Sequence, residues 1–267
     1  MARVAIPCEA GNPSALDPLG GGPYAPRVER GKRALTAERF AQGMTFDQYV
    51  LYTGTPENLA REAGWWLGTR RHDFSGLLRE RYERARLDEA QTAAIRWLAA
   101  RSDGPAKLLV ISEEWSSDCR RDVPMLARLA EAGGLELRIF QRDGQKLGGG
   151  PRSDPAASPN ADIVNTFLNE KDGQTFQSVP TAVFLTKGLE EIYRYIELPA
   201  IYHKARLAAA MQAAANGENR EQAWEQFIRD WGALQALPFY QMWASAAVDE
   251  MLSALHERLV VATGSVS

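Results

Sequence analysis

Residues 103–134 constrain the fold most tightly. The turn residues Asp103-Gly104-Pro105 precede a short apolar run, Lys107-Leu108-Leu109-Val110-Ile111, which suits a buried strand. A polar stretch, Ser112 to Asp118, leads straight into a helix predicted over 119–132, with Gly133-Gly134 as its stop signal. Such a strand-to-helix junction aims backbone N–H groups and the helix dipole at one spot, where an anion, including a thiolate, is stabilised. A strand over 135–140 follows, with Leu135, Leu137 and Ile139 on one side. A long loop over 141–161 then carries Gly148-Gly149-Gly150-Pro151, which lacks the lysine and spacing of a phosphate loop and reads as linker. Next come a helix near 162–169, a strand over 181–185, and a hairpin through Lys187-Gly188 to a strand over 191–196. The order β-α-β-α-β-β predicts an α/β domain, a central mixed sheet flanked by helices.

Helical segments flank that domain. Thr45 with Gln48 and Asp88 with Gln91 read as capping boxes, and Thr55-Pro56 places a cap before a first-turn proline. The Arg- and Glu-rich stretch 70–86 reads as a solvated helix surface. Trp65-Trp66 reads as packing. After residue 200, Trp224, Phe227, Trp231 and Leu234 form one helical stripe; Val248, Met251, Leu252, Leu255 and Leu259 form another, and both are expected on the same core. Residues 1–33, rich in Gly and Pro, read as a flexible arm. The expected organisation is therefore arm 1–33, helical extension 34–104, α/β domain 105–200, and C-terminal helical extension 201–267. A net charge of −3 argues against nucleic acid or an anionic membrane as the main partner. No apolar run reaches membrane-spanning length, and the start has no secretory core before Pro7. Two distant cysteines, Cys8 and Cys119, make no disulfide framework, so a cytoplasmic setting is expected. No His, Cys and carboxylate set has metal spacing.

The junction itself reads Glu113-Glu114-Trp115-Ser116-Ser117-Asp118-Cys119-Arg120-Arg121-Asp122-Val123-Pro124, and far downstream Val179-Pro180 places a proline at a strand start, where a cis bond fits. Over about residues 36–200 the chain resembles the thioredoxin superfamily, and more narrowly bacterial thioredoxin-like proteins with a Trp-Cys-x-Asp-Cys type motif. Here that motif stands as Trp-Ser-Ser-Asp-Cys. The resemblance implies a thioredoxin-like fold and a role in cell redox homeostasis. It makes Cys119 the counterpart of the resolving thiol, Pro124 the helix proline and Val179-Pro180 the cis-proline loop beside the active site. Trp115, Ser117, Asp118, Val179 and Pro180 would then contact substrate. Two positions depart from the family: Ser116 replaces the attacking cysteine, and Val110 replaces a buried acid.

A serine hydroxyl needs an adjacent base to attack anything, and His72, His203 and His256 are scattered. Three functions stay open. The first is a thiol-disulfide oxidoreductase with a degenerate SxxC motif, using Cys119 alone, with Cys8, or with a small thiol, and acting on a protein thiol or disulfide. It requires an accessible Cys119 of lowered pKa. The second is an inactive binding module for a polypeptide, with an inert Cys119 and an open apolar groove near Trp115 and Val179. The third is a glutathione-binding protein using Ser116, whose competing role is to cap the helix. Beyond glutathione or another small thiol, no cofactor is expected. Glu113, Glu114 and Asp118 read as solvated loop carboxylates.

Overall fold

Local capping chemistry sets the first helices of the chain. The computed structural model describes residues 35–62, 71–215 and 219–262, all within one unit, Arg33–Ser267. Cys8, the 1–33 arm and Trp65-Trp66 lie outside the described residues. Thr36 caps α1 (Ala37–Ala41), Thr45 and Gln48 close the expected box on α2 (Phe46–Thr53), and Thr55 caps α3 (Pro56–Leu59). After α4 (Ser75–Arg84), Asp88 and Gln91 form the second box on α5 (Glu89–Ala99), which buries Ile95 and Leu98.

The apolar run forms β1 (Lys107–Ser112), and α6 (Ser117–Gly133) follows after a single loop. Gly134 ends α6 at φ 65°, and Gly133 lets Ile95 approach to a distance that a Cβ would close. Then come β2 (Glu136–Gln141), α7 (Ala161–Thr166), β3 (Asn169–Lys171), β4 (Gln174–Phe176), β5 (Thr181–Leu185) and β6 (Glu191–Ile196). The C-terminal part holds α8 (Lys204–Ala214), α9 (Arg220–Leu234) and α10 (Pro238–His256), which runs on as a π-helical turn, Glu257–Val261. Among the described residues no helix is long and apolar enough to cross a membrane.

The mixed sheet has the order β2-β1-β5-β6, with β1 parallel to β2 and antiparallel to β5, and β6 antiparallel to β5. Every residue of β5, and every residue of β1 after Lys107, is buried, so both faces are covered. Burying side chains such as Leu108, Leu109 and Ile111 contributes about 1.5–3 kcal/mol each. One apolar core runs through these strands, Phe40, Leu78 and Ile95 upstream, and Val248, Met251 and Leu255 of α10. The stripe on α9 departs from expectation. Leu234 joins a separate cluster with Tyr202, Tyr240 and Trp243, Trp231 packs against that cluster, and Trp224, Phe227 and Trp231 contact one another in sequence along α9. The short β3–β4 hairpin was not anticipated, although its Asp172-Gly173 turn, with φ of 52° and 74°, is a recognised hairpin signal.

Candidate functional site

The site is built where β1 passes into α6. Ser116 is the N-cap of α6: its hydroxyl accepts from the Cys119 backbone N–H at 3.5 Å. That hydroxyl is therefore engaged in holding the helix start. Ser116→Ala is expected to destabilise the protein by about 1 kcal/mol, measured by urea denaturation. Cys119, one turn in, is 1% exposed, and its Sγ accepts from the Glu113 N–H at 3.4 Å. Burial pushes this thiol up to about 12, against the smaller pull of hydrogen bonds from Ser112, Glu113 and Ser116.

Beside the thiol lies an ion network that contradicts the solvated reading of the loop carboxylates. Glu113 and Glu114 are buried, and so is Asp143 at the start of the long loop. Glu113 accepts from Arg61 Nη2 at 2.8 Å, Arg71 Nη1 at 2.7 Å and the Asp143 N–H at 2.7 Å. Arg71 Nη1 also reaches Glu114 at 2.7 Å, and Arg142 Nε reaches Asp143 at 2.7 Å. Three arginines thus face three carboxylates. Burial and then repulsion from Asp143 push the Glu113 carboxyl up to about 7, with Arg61 and Arg71 pulling the other way. The reading of stretch 70–86 as solvated surface is corrected at Arg71, whose side chain is fully buried.

The motif residues are covered from two sides. The Trp115 indole N–H donates to Asp143 Oδ2 at 2.9 Å, and the Arg142 guanidinium lies 5.0 Å from the centre of its ring. The loop that carries these residues is tied down. Gly148 N–H donates to Asp143 Oδ1 and Ser158 Oγ to the Arg142 carbonyl, so Gly148-Gly149-Gly150 is no loose linker. From the C-terminal side, Tyr240 Oη donates to the Ser117 carbonyl at 2.7 Å, and Lys204 Nζ pairs with Asp118. Asp118 also pairs with Arg121 at 2.8 Å, and Arg121 holds Asp122.

The Val179–Pro180 bond is cis, and both residues are buried. The pairing of Ile111 with Thr181 brings Pro180 to the same sheet end as Ser112 and Glu113. Ser116, Cys119 and the cis-proline loop therefore gather at one end of the sheet, where Trp115 and Val179, expected beside an open groove, are both buried. Arg61, Arg71 and Asp143 were missed in sequence because they lie tens of residues from the motif. The one available signal was a pair of adjacent glutamates at the end of a buried strand, which calls for buried cations.

Residues 73–147 match a thioredoxin family model, a span that includes α4, the motif and β2. No curated protein matches the chain. Among solved structures, a protein of unknown function from Pseudomonas aeruginosa is 14% identical with a TM-score of 0.46, over 81% of this chain and 94% of that one. An HIV epitope scaffold is 17% identical with a TM-score of 0.44, over 82% and 96%.

Proposed function

We propose, from the premise that this chain carries a thioredoxin-like domain, that it acts as a binding module without thiol chemistry. The observation that carries this reading is the state of Cys119: buried, free, and shifted by burial up to about 12. With Ser116 in place of a second motif cysteine, Cys119 would have to attack by itself, and an attacking thiol needs the opposite, an exposed sulfur held below its ordinary pKa. Ser116 caps the helix, and among the described residues no histidine or carboxylate is hydrogen-bonded to its hydroxyl to make it a nucleophile. The reading is supported by the contacts that engage Trp115 and Ser117, which the resemblance would set against substrate: Asp143 and Arg142 on Trp115, and Tyr240 on the Ser117 carbonyl. Partners of this module, polypeptide or small molecule, are held by non-covalent contacts elsewhere on the surface.

Alkylation kinetics test the reading. With iodoacetamide at pH 8, followed by peptide mapping to separate Cys119 from Cys8, native Cys119 is expected to react roughly a thousandfold more slowly than in guanidinium, because so little of it is thiolate. Comparable rates in the native and denatured chain, or a mixed disulfide at Cys119 under mild oxidation, would return the protein to the redox class.

A further inference from the structure

We propose that the cavity between α4, the start of α6 and the α9–α10 turn binds a small amphiphilic oxyanion, a phosphate or carboxylate head on an apolar body. The cavity measures about 720 Å³, within the range of small-molecule sites. Four guanidiniums line it: Arg81, Arg84, Arg120 and Arg121.

Two of them are already neutralised. Arg121 is held by Asp118 and Asp122, and Arg84 pairs with Glu80 at 2.9 Å on the surface. The other two have no carboxylate partner among the described residues. Arg120 is 4% exposed; it donates to the carbonyls of Glu114 and Trp115 and to the Gln235 side chain, and its Nε is buried without a partner. Arg81 Nη1 is likewise shut off from solvent with no hydrogen-bond partner. Burial lowers the pKa of both, and each is further lowered by a neighbouring arginine. A buried cation without a counter-ion is costly, and an oxyanion matches the guanidinium fork.

Glu80, which pairs with Arg84, and the amides of Gln235 and Gln241 also line the cavity, and the rest of the wall is apolar. Phe74 lies under Arg120 at 4.2 Å, Tyr240 lies under Arg81 at 5.2 Å, and Leu237 and Pro238 complete that side. An anion with an apolar body satisfies both halves; inorganic phosphate alone would leave the apolar half empty. The Arg120 contacts to the Glu114 and Trp115 carbonyls tie this cavity to the motif loop. The proposal deepens the binding-module reading and fails separately from it: a reactive Cys119 would sink that reading and leave the titrations below unchanged.

Calorimetric titration of the full chain with phenyl phosphate, benzoate and benzyl alcohol tests it. Phenyl phosphate or benzoate is expected to bind at least about tenfold more tightly than benzyl alcohol, and less tightly in high salt. The two acids distinguish a phosphate from a carboxylate head. Arg81→Met is expected to weaken the anion about tenfold or more without lowering the thermal midpoint of the ligand-free protein, because the partly buried guanidinium it removes has an Nη1 shut off from solvent with no partner. Leu237→Trp, at a half-exposed position on the cavity wall, keeps every charge and is expected to exclude the ligand body. Equal affinity for all three probes, no binding, or unchanged anion affinity in both variants overturns the proposal.

Discussion

Arg71→Met is expected to cost about 3–5 kcal/mol at pH 8, the penalty for leaving buried carboxylates without their cation. Methionine keeps much of the aliphatic stem, so the loss is of charge rather than volume. Arg71 contacts Glu113, Glu114 and Asp143, and every one of these side chains is 0–2% exposed. Without it, Arg61 and Arg142 face three acids. The loss depends on pH with a definite sign. Glu113 already sits near 7 against an ordinary 4.5. Between those values the folded state holds a proton that the unfolded chain has released, so the contribution of this group to stability is fully present below 4.5 and is lost as pH rises through 7. Removing Arg71 raises the folded pKa further and extends that window upward. Urea denaturation should therefore show a smaller loss at pH 5 than at pH 8. A loss below about 1 kcal/mol at both values would mean that water screens the network as it screens a surface pair.

Gly144→Ala is expected to cost about 3 kcal/mol and to loosen the loop over Trp115. A Cβ at this position would stand 1.7 Å from the Ala157 carbonyl oxygen and 2.9 Å from its carbon, both backbone atoms that no rotamer change can move aside. The Gly144 carbonyl accepts from Arg61 Nε at 2.9 Å, and the preceding residue, Asp143, holds the Trp115 indole. The displaced turn must therefore pull on the ion network and on the motif together. Hydrogen exchange of the Trp115 indole N–H, followed by NMR, should accelerate in the variant. Unchanged exchange with unchanged stability would show that the loop adapts, and that the closure over the motif is weakly held.

These two sites also mark where reading the sequence stops. The caps at Thr45, Thr55 and Asp88, the strand at residues 107–111 and the glycine stop after α6 are decided by neighbours within a few residues, so they are legible. The resemblance carried by Trp115, Cys119, Pro124 and Val179-Pro180 likewise needs only spacing, and it led to the right sheet. Glu113 and Glu114 were misread as solvated because their burial rests on arginines 42 to 52 residues upstream. Gly148 was misread as linker because its partner is the side chain of Asp143, which Trp115 and Arg142 hold in place.

The sequence by itself determined that a thioredoxin-like β-α-β junction forms and that a serine, Ser116, stands where its helix begins, because secondary structure and residue identity are local properties. Only the tertiary structure decided how far Cys119 is removed from solvent. Thiol reactivity depends on solvation, and Cys119 is desolvated by a core drawn from distant parts of the chain while Asp143 and Tyr240 close the face around it. The same long-range packing left Arg81 and Arg120 in one cavity with no carboxylate bonded to either among the described residues, which neither position announces in sequence.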